Sequence, residues 1–213
     1  AGVSGNGQSE LIRCITGLEK VDTGNVIINN KDITNNTVRD IREAGIAHVP
    51  EDRYMWGSAP DATLAENALM GYEDSDEFSK KGILNTDKVI NHAINLISKF
   101  RVKADSYSQK IKELSGGNAQ KLIVAREMSK ETPLIIACEP TRGIDIGAIE
   151  FIHDQLVEKR NNGDSVLLVS SELSEIMDLS DRIYVIYEGE IVGEFKRGSI
   201  DEKALGLLMV GGK

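Results

Sequence analysis

The chain is 213 residues long, 40% hydrophobic and 28% charged, enough apolar material for one core and one domain with room for a subdomain. Its net charge of -9 excludes a general nucleic-acid or anionic-membrane binder, because either partner would be repelled at long range. The longest apolar runs, such as Leu134–Cys138 and Val166–Val169, are strand length and far short of the roughly 20 residues that cross a bilayer. A membrane role would therefore come through a partner. The two cysteines, Cys14 and Cys138, have no paired spacing and no signal peptide accompanies them, which fits a reduced cytosolic setting with both as small buried groups. His48, His92 and His153 are scattered without metal-ligand spacing.

In chain order, residues 2–9 read GVSGNGQS, which fits G-x-x-x-x-G-K-[ST] at every fixed position except the lysine, replaced by Gln8. Such a loop connects a buried strand to a helix, and no strand precedes Gly2, so N-terminal strands are expected to be missing from this sequence. Ser9–Leu18 predicts a helix with Leu11, Ile12, Ile15 and Leu18 on one stripe, ending near Gly17, with its N-terminus pointing at phosphate. Gly24–Ile28, Asn29-Asn30 and Lys31–Ile33 read as a strand entering a tight turn, and Ile46–Val49 as another strand. Residues 59–130 turn helical, with Val89, Ile90, Ala93, Ile94, Ile97 and Phe100 at helical intervals and a second helix over Ala119–Met128, and read as an inserted helical subdomain. The polar stretch Glu73–Lys81 reads as a solvated loop. The remainder alternates: strands at Leu134–Cys138, Ser165–Val169, Arg182–Tyr187 and Glu190–Phe195, helices at Gly147–Arg160 and Glu172–Leu179, then a final helix. That alternation predicts a mostly parallel sheet covered by helices.

Gly2, Gly5 and Gly7 let backbone wrap closely around phosphate oxygens, and successive amides with a helix N-terminus supply partial positive charge. Gln8 can donate hydrogen bonds but cannot neutralise phosphate, and charge-assisted bonds are roughly twice as strong as neutral ones. Ser9 keeps a hydroxyl suited to magnesium. Further on, Leu114-Ser115-Gly116-Gly117-Asn118 places small residues where amides and a hydroxyl can approach a phosphate, and Asn118 opens a helix whose dipole adds to that field.

The order of GVSGNGQS, HVPEDR, helical insert, LSGGN, LIIACEPTRGID and VSSE covers nearly the whole chain and resembles an ABC-transporter ATPase nucleotide-binding domain. The resemblance implies an α/β fold of the P-loop NTPase, RecA-like kind, a mostly parallel sheet core with an inserted helical subdomain, and ATP with Mg2+ as cofactors. It implies a nucleotide-binding set of Gly2, Ser4, Gly5, Asn6, Gly7, Gln8, Ser9 and Glu10, with Ser9 as a weak magnesium ligand. Glu139 takes the place of the catalytic, water-polarising base, and Leu114, Ser115, Gly116, Gly117 and Asn118 form the signature. Gly143 and Asp145 lie in the D-loop. Three positions depart further from the family: Cys138 stands where an aspartate helps hold magnesium, Ser171 at the switch histidine, and Glu51 at the Q-loop glutamine. A soft thiol is a poor magnesium ligand. An acid at Glu51 would repel phosphate, and Arg53 either compensates for it or is a surface residue.

More narrowly, GNGQSEL, VPEDR, EPTRGIDIGAIEFIH and VSSELSEIMDLSDRI resemble the second, C-terminal half of fused ATPases that energise simple-sugar and nucleoside importers. In that family ATP sits between one domain's phosphate loop and another's signature. The resemblance therefore implies a degenerate site on this chain's own loop and a signature that completes the competent site of a second nucleotide-binding domain in the same full-length chain. Membrane-spanning permease subunits, an extracellular substrate-binding protein and a peripheral place on the cytoplasmic membrane face are implied too, and no nucleic acid. Residues 51–67, with Met55 and Trp56 in a glycine- and proline-flanked loop, fall where the family receives a coupling helix. The alternative is that Trp56 folds back into the insert. A slow self-sufficient ATPase homodimer and a non-hydrolytic regulatory or scaffolding module also remain open, whereas a P-loop kinase or GTPase has no need of LSGGN.

Overall fold

The computed structural model describes residues 1–212. In chain order the elements are α1 (Gln8–Ile15), β1 (Ile27–Ile28), β2 (Lys31–Asp32), α2 (Val38–Glu43), β3 (Ile46–Val49), α3 (Leu64–Leu69), β4 (Ser79–Lys80), β5 (Ile83–Leu84), α4 (Thr86–Lys99), α5 (Gly116–Ser129), β6 (Leu134–Cys138), α6 (Ile146–Asn161), β7 (Ser165–Val169), α7 (Leu173–Leu179), β8 (Arg182–Tyr187), β9 (Glu190–Lys196) and α8 (Glu202–Met209). They fall into two compact units, one of residues 1–48, 132–139 and 159 onward, the other of residues 49–131 and 140–158.

In the first unit the sheet order is β3-β6-β7, with β6 and β7 parallel in the register Leu134↔Ser165 to Cys138↔Val169. Ile12 of α1, Ile28, Ile33, Ile41 of α2, Ile46 of β3, and Ile136 and Cys138 of β6 bury together as one cluster. Each such aliphatic side chain contributes about 1.5–3 kcal/mol on leaving water. The strand pair β1–β2 is an antiparallel hairpin whose turn residues Asn29 and Asn30 both take positive φ, 48° and 63°, as a type I′ turn requires. A second cluster joins Ile176 of α7, Ile183 and Val185 of β8, and Leu205 and Met209 of α8. Strand–helix alternation stops at β8, which pairs antiparallel with β9 because Glu188 and Gly189, at φ 47° and 80°, turn the chain straight back.

In the second unit each main helix has a side-chain cap. Thr63 and Glu66 form a reciprocal capping box on α3. Asn85 caps α4 and Ser115 caps α5. Helix α5 buries most of its surface, including the Arg126–Glu127 ion pair at 2.8 Å, so no simple amphipathic stripe marks it in the sequence. Phe100, ending α4, meets Phe151 of α6 edge-on with ring centroids 5.8 Å apart. The stretch around Glu73–Lys81 is more ordered than a solvated loop: β4 and β5 pair as a hairpin through Lys81 and Gly82, at φ 53° and 77°, with Phe78 buried beneath. Among the described residues no helix is long and apolar enough to cross a membrane.

Candidate functional site

The predicted phosphate loop lies in the first unit and runs into α1 at Gly7, whose φ of 107° is open to glycine and strained for other residues. Gly7 is the N-cap of α1 and has no side chain to cap the first turn. Asn6 stitches the loop to the β8–β9 turn, its Oδ1 accepting from the Glu188 amide at 3.1 Å and its carbonyl from the Gly189 amide at 2.9 Å. The Gln8 side chain folds back across the loop, where Nε2 donates to the Val3 carbonyl at 3.0 Å while the buried Oε1 has no hydrogen-bond partner. Ser4 is exposed and Gly5 takes a φ of 92°. Ser9 lies in the first turn of α1 beside Glu10, whose carboxylate pairs with Arg13 at 2.9 Å.

At the C-terminal end of β6, Cys138 is buried, with its Sγ 3.9 Å from Nε2 of His48. Glu139 follows with a positive φ of 44°, and its amide donates to the Val169 carbonyl at 2.7 Å, carrying the β6–β7 ladder one step beyond the strands. This backbone turn aims the carboxylate along the sheet at Ser171, whose amide donates to Oε1 at 2.8 Å and whose hydroxyl lies 3.3 Å from Oε2. The structure thus brings together Cys138, Glu139 and Ser171, which the sequence predicted, and His48, which it did not. Adjacency of β3 and β6 is the signal that places His48 there, and linear spacing cannot supply it. Among the described residues no group of three or more His, Cys, Asp or Glu could hold a metal ion.

The second unit carries the remaining predicted residues. Ser115 accepts from the Asn118 amide at 3.4 Å and from Asn118 Nδ2 at 2.8 Å, while Asn118 Oδ1 accepts from the Lys103 amide at 2.8 Å. Leu114 is buried, anchoring the turn. Asp145 Oδ1 accepts from the Ala148 amide at 2.9 Å, and its Oδ2 stands 3.0 Å from where a Cβ on Gly117 would fall. Glu51 meets the Arg142 guanidinium at 3.5 Å, so the acid at the Q-loop position has a cation beside it that the sequence did not suggest. Arg53 donates instead to backbone, Nη1 to the Gly116 carbonyl at 2.8 Å and Nη2 to the Arg142 carbonyl next to Gly143. The amides of Met55 and Tyr54 hold the Asp52 carboxyl below its usual range. Met55 and Trp56 are 69% and 57% exposed, so Trp56 does not fold back into a core.

A family model described as ABC transporter matches residues 1–142, two thirds of the chain, through the phosphate loop, LSGGN and the end of β6. The chain belongs to the ABC transporter family. This ABC domain is 45% identical over its whole length to a nucleoside import ATP-binding protein, NupA, of Lactococcus lactis, of which it covers 42%. It is 46% identical over 99% of its length to a guanosine import ATP-binding protein, NupO, of Bacillus subtilis, covering 41% of it. Against a glucose import ATP-binding protein, TsgD13, of Haloferax volcanii, identity is 44% over the whole chain and 39% of that protein. The domain thus spans about 40% of the length of these curated relatives. Among solved structures, the ATP-binding cassette MJ0796, a dimer in a post-hydrolysis state with ADP and Pi, superposes with a TM-score of 0.78 at 25% identity, over 93% of this chain and 84% of that one. MJ1267, an ATP-binding cassette of an ABC transporter, gives 0.76 at 27% identity over 98% and 81%. The expected fold, a P-loop NTPase ABC cassette of mixed α/β content with a parallel sheet, is the observed one.

Proposed function

We propose that this ABC domain binds ATP weakly at its own phosphate loop and lends its signature to a second nucleotide-binding domain, together energising an importer of sugars or nucleosides. The observation that carries the reading is the pairing of Glu139 with Ser171 beside the buried thiol of Cys138, in a chain whose signature cap is complete. The helix N-terminus of α1 and the glycine turn before it fit a polyphosphate. Gly2, Ser4, Gly5, Asn6, Gly7, Gln8, Ser9 and Glu10 would line it, without a lysine to balance its charge. Magnesium fits less well: Ser9 offers a hard oxygen, whereas Cys138 offers a thiol packed against His48.

ATP supplies a phosphoryl group for transfer to water. In this chain the residue placed to polarise that water, Glu139, is held by Ser171 rather than aimed by a histidine, so turnover on its own loop is slow. The signature supports the other role, since Ser115 and the amides of Gly116, Gly117 and Asn118 form a capped helix start suited to a phosphate held by a partner. Residues 59–130 serve as the signature-bearing helical subdomain, and Gly143 and Asp145 steady it from the D-loop. The names of the relatives support import and leave sugar and nucleoside equally open. The exposed Met55 and Trp56 support docking on membrane-spanning permease subunits, with a substrate-binding protein beyond them and the domain peripheral on the cytoplasmic face. The deciding experiment measures transport-coupled ATP turnover of the full-length protein with Ser115→Asp and with Gln8→Ala. The first should stop it and the second reduce it modestly; the reverse order favours a self-sufficient homodimer.

A further inference from the structure

Arg53 projects from a turn whose backbone is held on every side. The Asp52 carboxylate accepts from the Tyr54 and Met55 amides, both at 2.9 Å, and the Asp52 carbonyl from the Trp56 and Gly57 amides at 3.0 and 3.2 Å. Ser58 Oγ donates to the Arg53 carbonyl at 2.7 Å. From this fixed base the guanidinium spans two segments 63 and 89 residues away in sequence, Nη1 on the carbonyl of Gly116 in the first turn of α5 and Nη2 on the carbonyl of Arg142. Arg142 returns the contact through its own guanidinium to Glu51. Two residues of the VPEDR run thereby brace the signature and the D-loop at once.

We propose that Arg53 is a positioning residue that locks the signature turn and the D-loop into one rigid pair, so that the signature amides are aligned before phosphate arrives. This rests on the reading of the signature given above. The chemistry requires arginine: a planar fork reaches two divergent carbonyls, whereas an ammonium is a single point on a flexible stem. Charge-assisted bonds to carbonyls are also the stronger kind. Prealignment matters because donors already in place cost no reorganisation as charge develops.

The test uses the full-length protein as wild type, Arg53→Met and Arg53→Lys. Amide hydrogen exchange should rise by about tenfold or more in residues 115–119 and 142–146 together in Arg53→Met, and in at least one of the two segments in Arg53→Lys. In the assembled transporter, kcat for ATP should fall about tenfold or more while KM stays within about twofold, the split expected when alignment rather than binding is lost. Unchanged exchange in either segment of Arg53→Met overturns the clamp. A joint rise with normal turnover, where Ser115→Asp abolishes turnover, overturns its positioning role. Should Ser115→Asp itself leave turnover intact, the signature reading fails, and exchange alone still judges the clamp.

Discussion

Glu139 and Ser171 are joined at two points, the serine amide donating to one carboxylate oxygen at 2.8 Å and its hydroxyl lying 3.3 Å from the other. A glutamine at position 139 can keep both bonds, accepting from the amide and donating to the hydroxyl. Glu139→Gln should therefore change stability by no more than about 0.5 kcal/mol, read by chemical denaturation. On the proposed degenerate site, with Gln8, Cys138 and Ser171 at its phosphate, metal and switch positions, ATPase activity of the chain alone should stand at background in both forms. Robust turnover that Glu139→Gln abolishes would falsify the degenerate-site reading.

Gln8→Lys should tighten ATP binding by about 1.5–3 kcal/mol, the range for hydrogen bonds to charged groups. The substitution removes a buried acceptor, Oε1, that has no partner, and replaces the Nε2 donor to the Val3 carbonyl with an ammonium that can donate there or to phosphate. Calorimetry on the two forms decides, and equal affinities would mean that the loop is no phosphate site.

Two substitutions in the signature should share a functional outcome and differ in stability. At Gly117 a Cβ already comes within 3.0 Å of Asp145 Oδ2, so Gly117→Asp sets two carboxylates together and should cost about 1–3 kcal/mol of stability. Ser115→Asp keeps an N-cap acceptor and should fold as well as wild type. Both place negative charge where phosphate would meet amides and should stop turnover in the assembled transporter. Thermal melts separate the two, since only Gly117→Asp should melt earlier.

His92 gives the second unit a pH-dependent element. Burial holds its pKa below the ordinary value of 6.5, more than nearby Glu77 and the Ala68 backbone raise it. Its ring packs edge-on against Phe78 at 4.9 Å, and Nε2 is buried without a partner. The folded state thus prefers neutral imidazole, so its contribution is fully present above pH 6.5 and declines as pH falls below 6.5 towards the lowered folded-state pKa. Denaturation midpoints measured from pH 7.5 to 5 should show that decline in wild type and less of it in His92→Phe, which keeps the ring packing. A slope unchanged in His92→Phe assigns the effect to other groups.

Trp56 is the sole tryptophan and is 57% exposed, which makes it a native probe of the proposed docking surface. Trp56→Ala should shift stability by less than about 0.5 kcal/mol, as for surface positions without special contacts, yet weaken association with the membrane subunits. Its fluorescence should move to shorter wavelength on assembly. Emission that stays unchanged, with cross-links at residue 56 that never capture a membrane subunit, counts against docking there.

The strands at Leu134–Cys138, Ser165–Val169 and Arg182–Tyr187 were legible to the residue because each is a short apolar run between breakers, and the Asn29-Asn30 turn because asparagine tolerates positive φ. Gln8 in a glycine loop, LSGGN, and a thiol before Glu139 are facts of sequence, and no packing alters the charge that Gln8 and Cys138 lack, whatever role the proposed site gives them. The β4–β5 hairpin was hidden in a polar stretch, since its anchor is the single buried ring of Phe78 and its turn depends on Lys81 and Gly82. What only the tertiary structure decided is which groups meet. His48 reaches Cys138 because β3 neighbours β6, Glu139 turns to Ser171 because β6 neighbours β7, and Arg53 meets carbonyls 63 and 89 residues away because its turn, the start of α5 and the loop at Arg142 converge. Hydrogen bonds act over about 3 Å of space, and distance along the chain says nothing about that space until the core has packed.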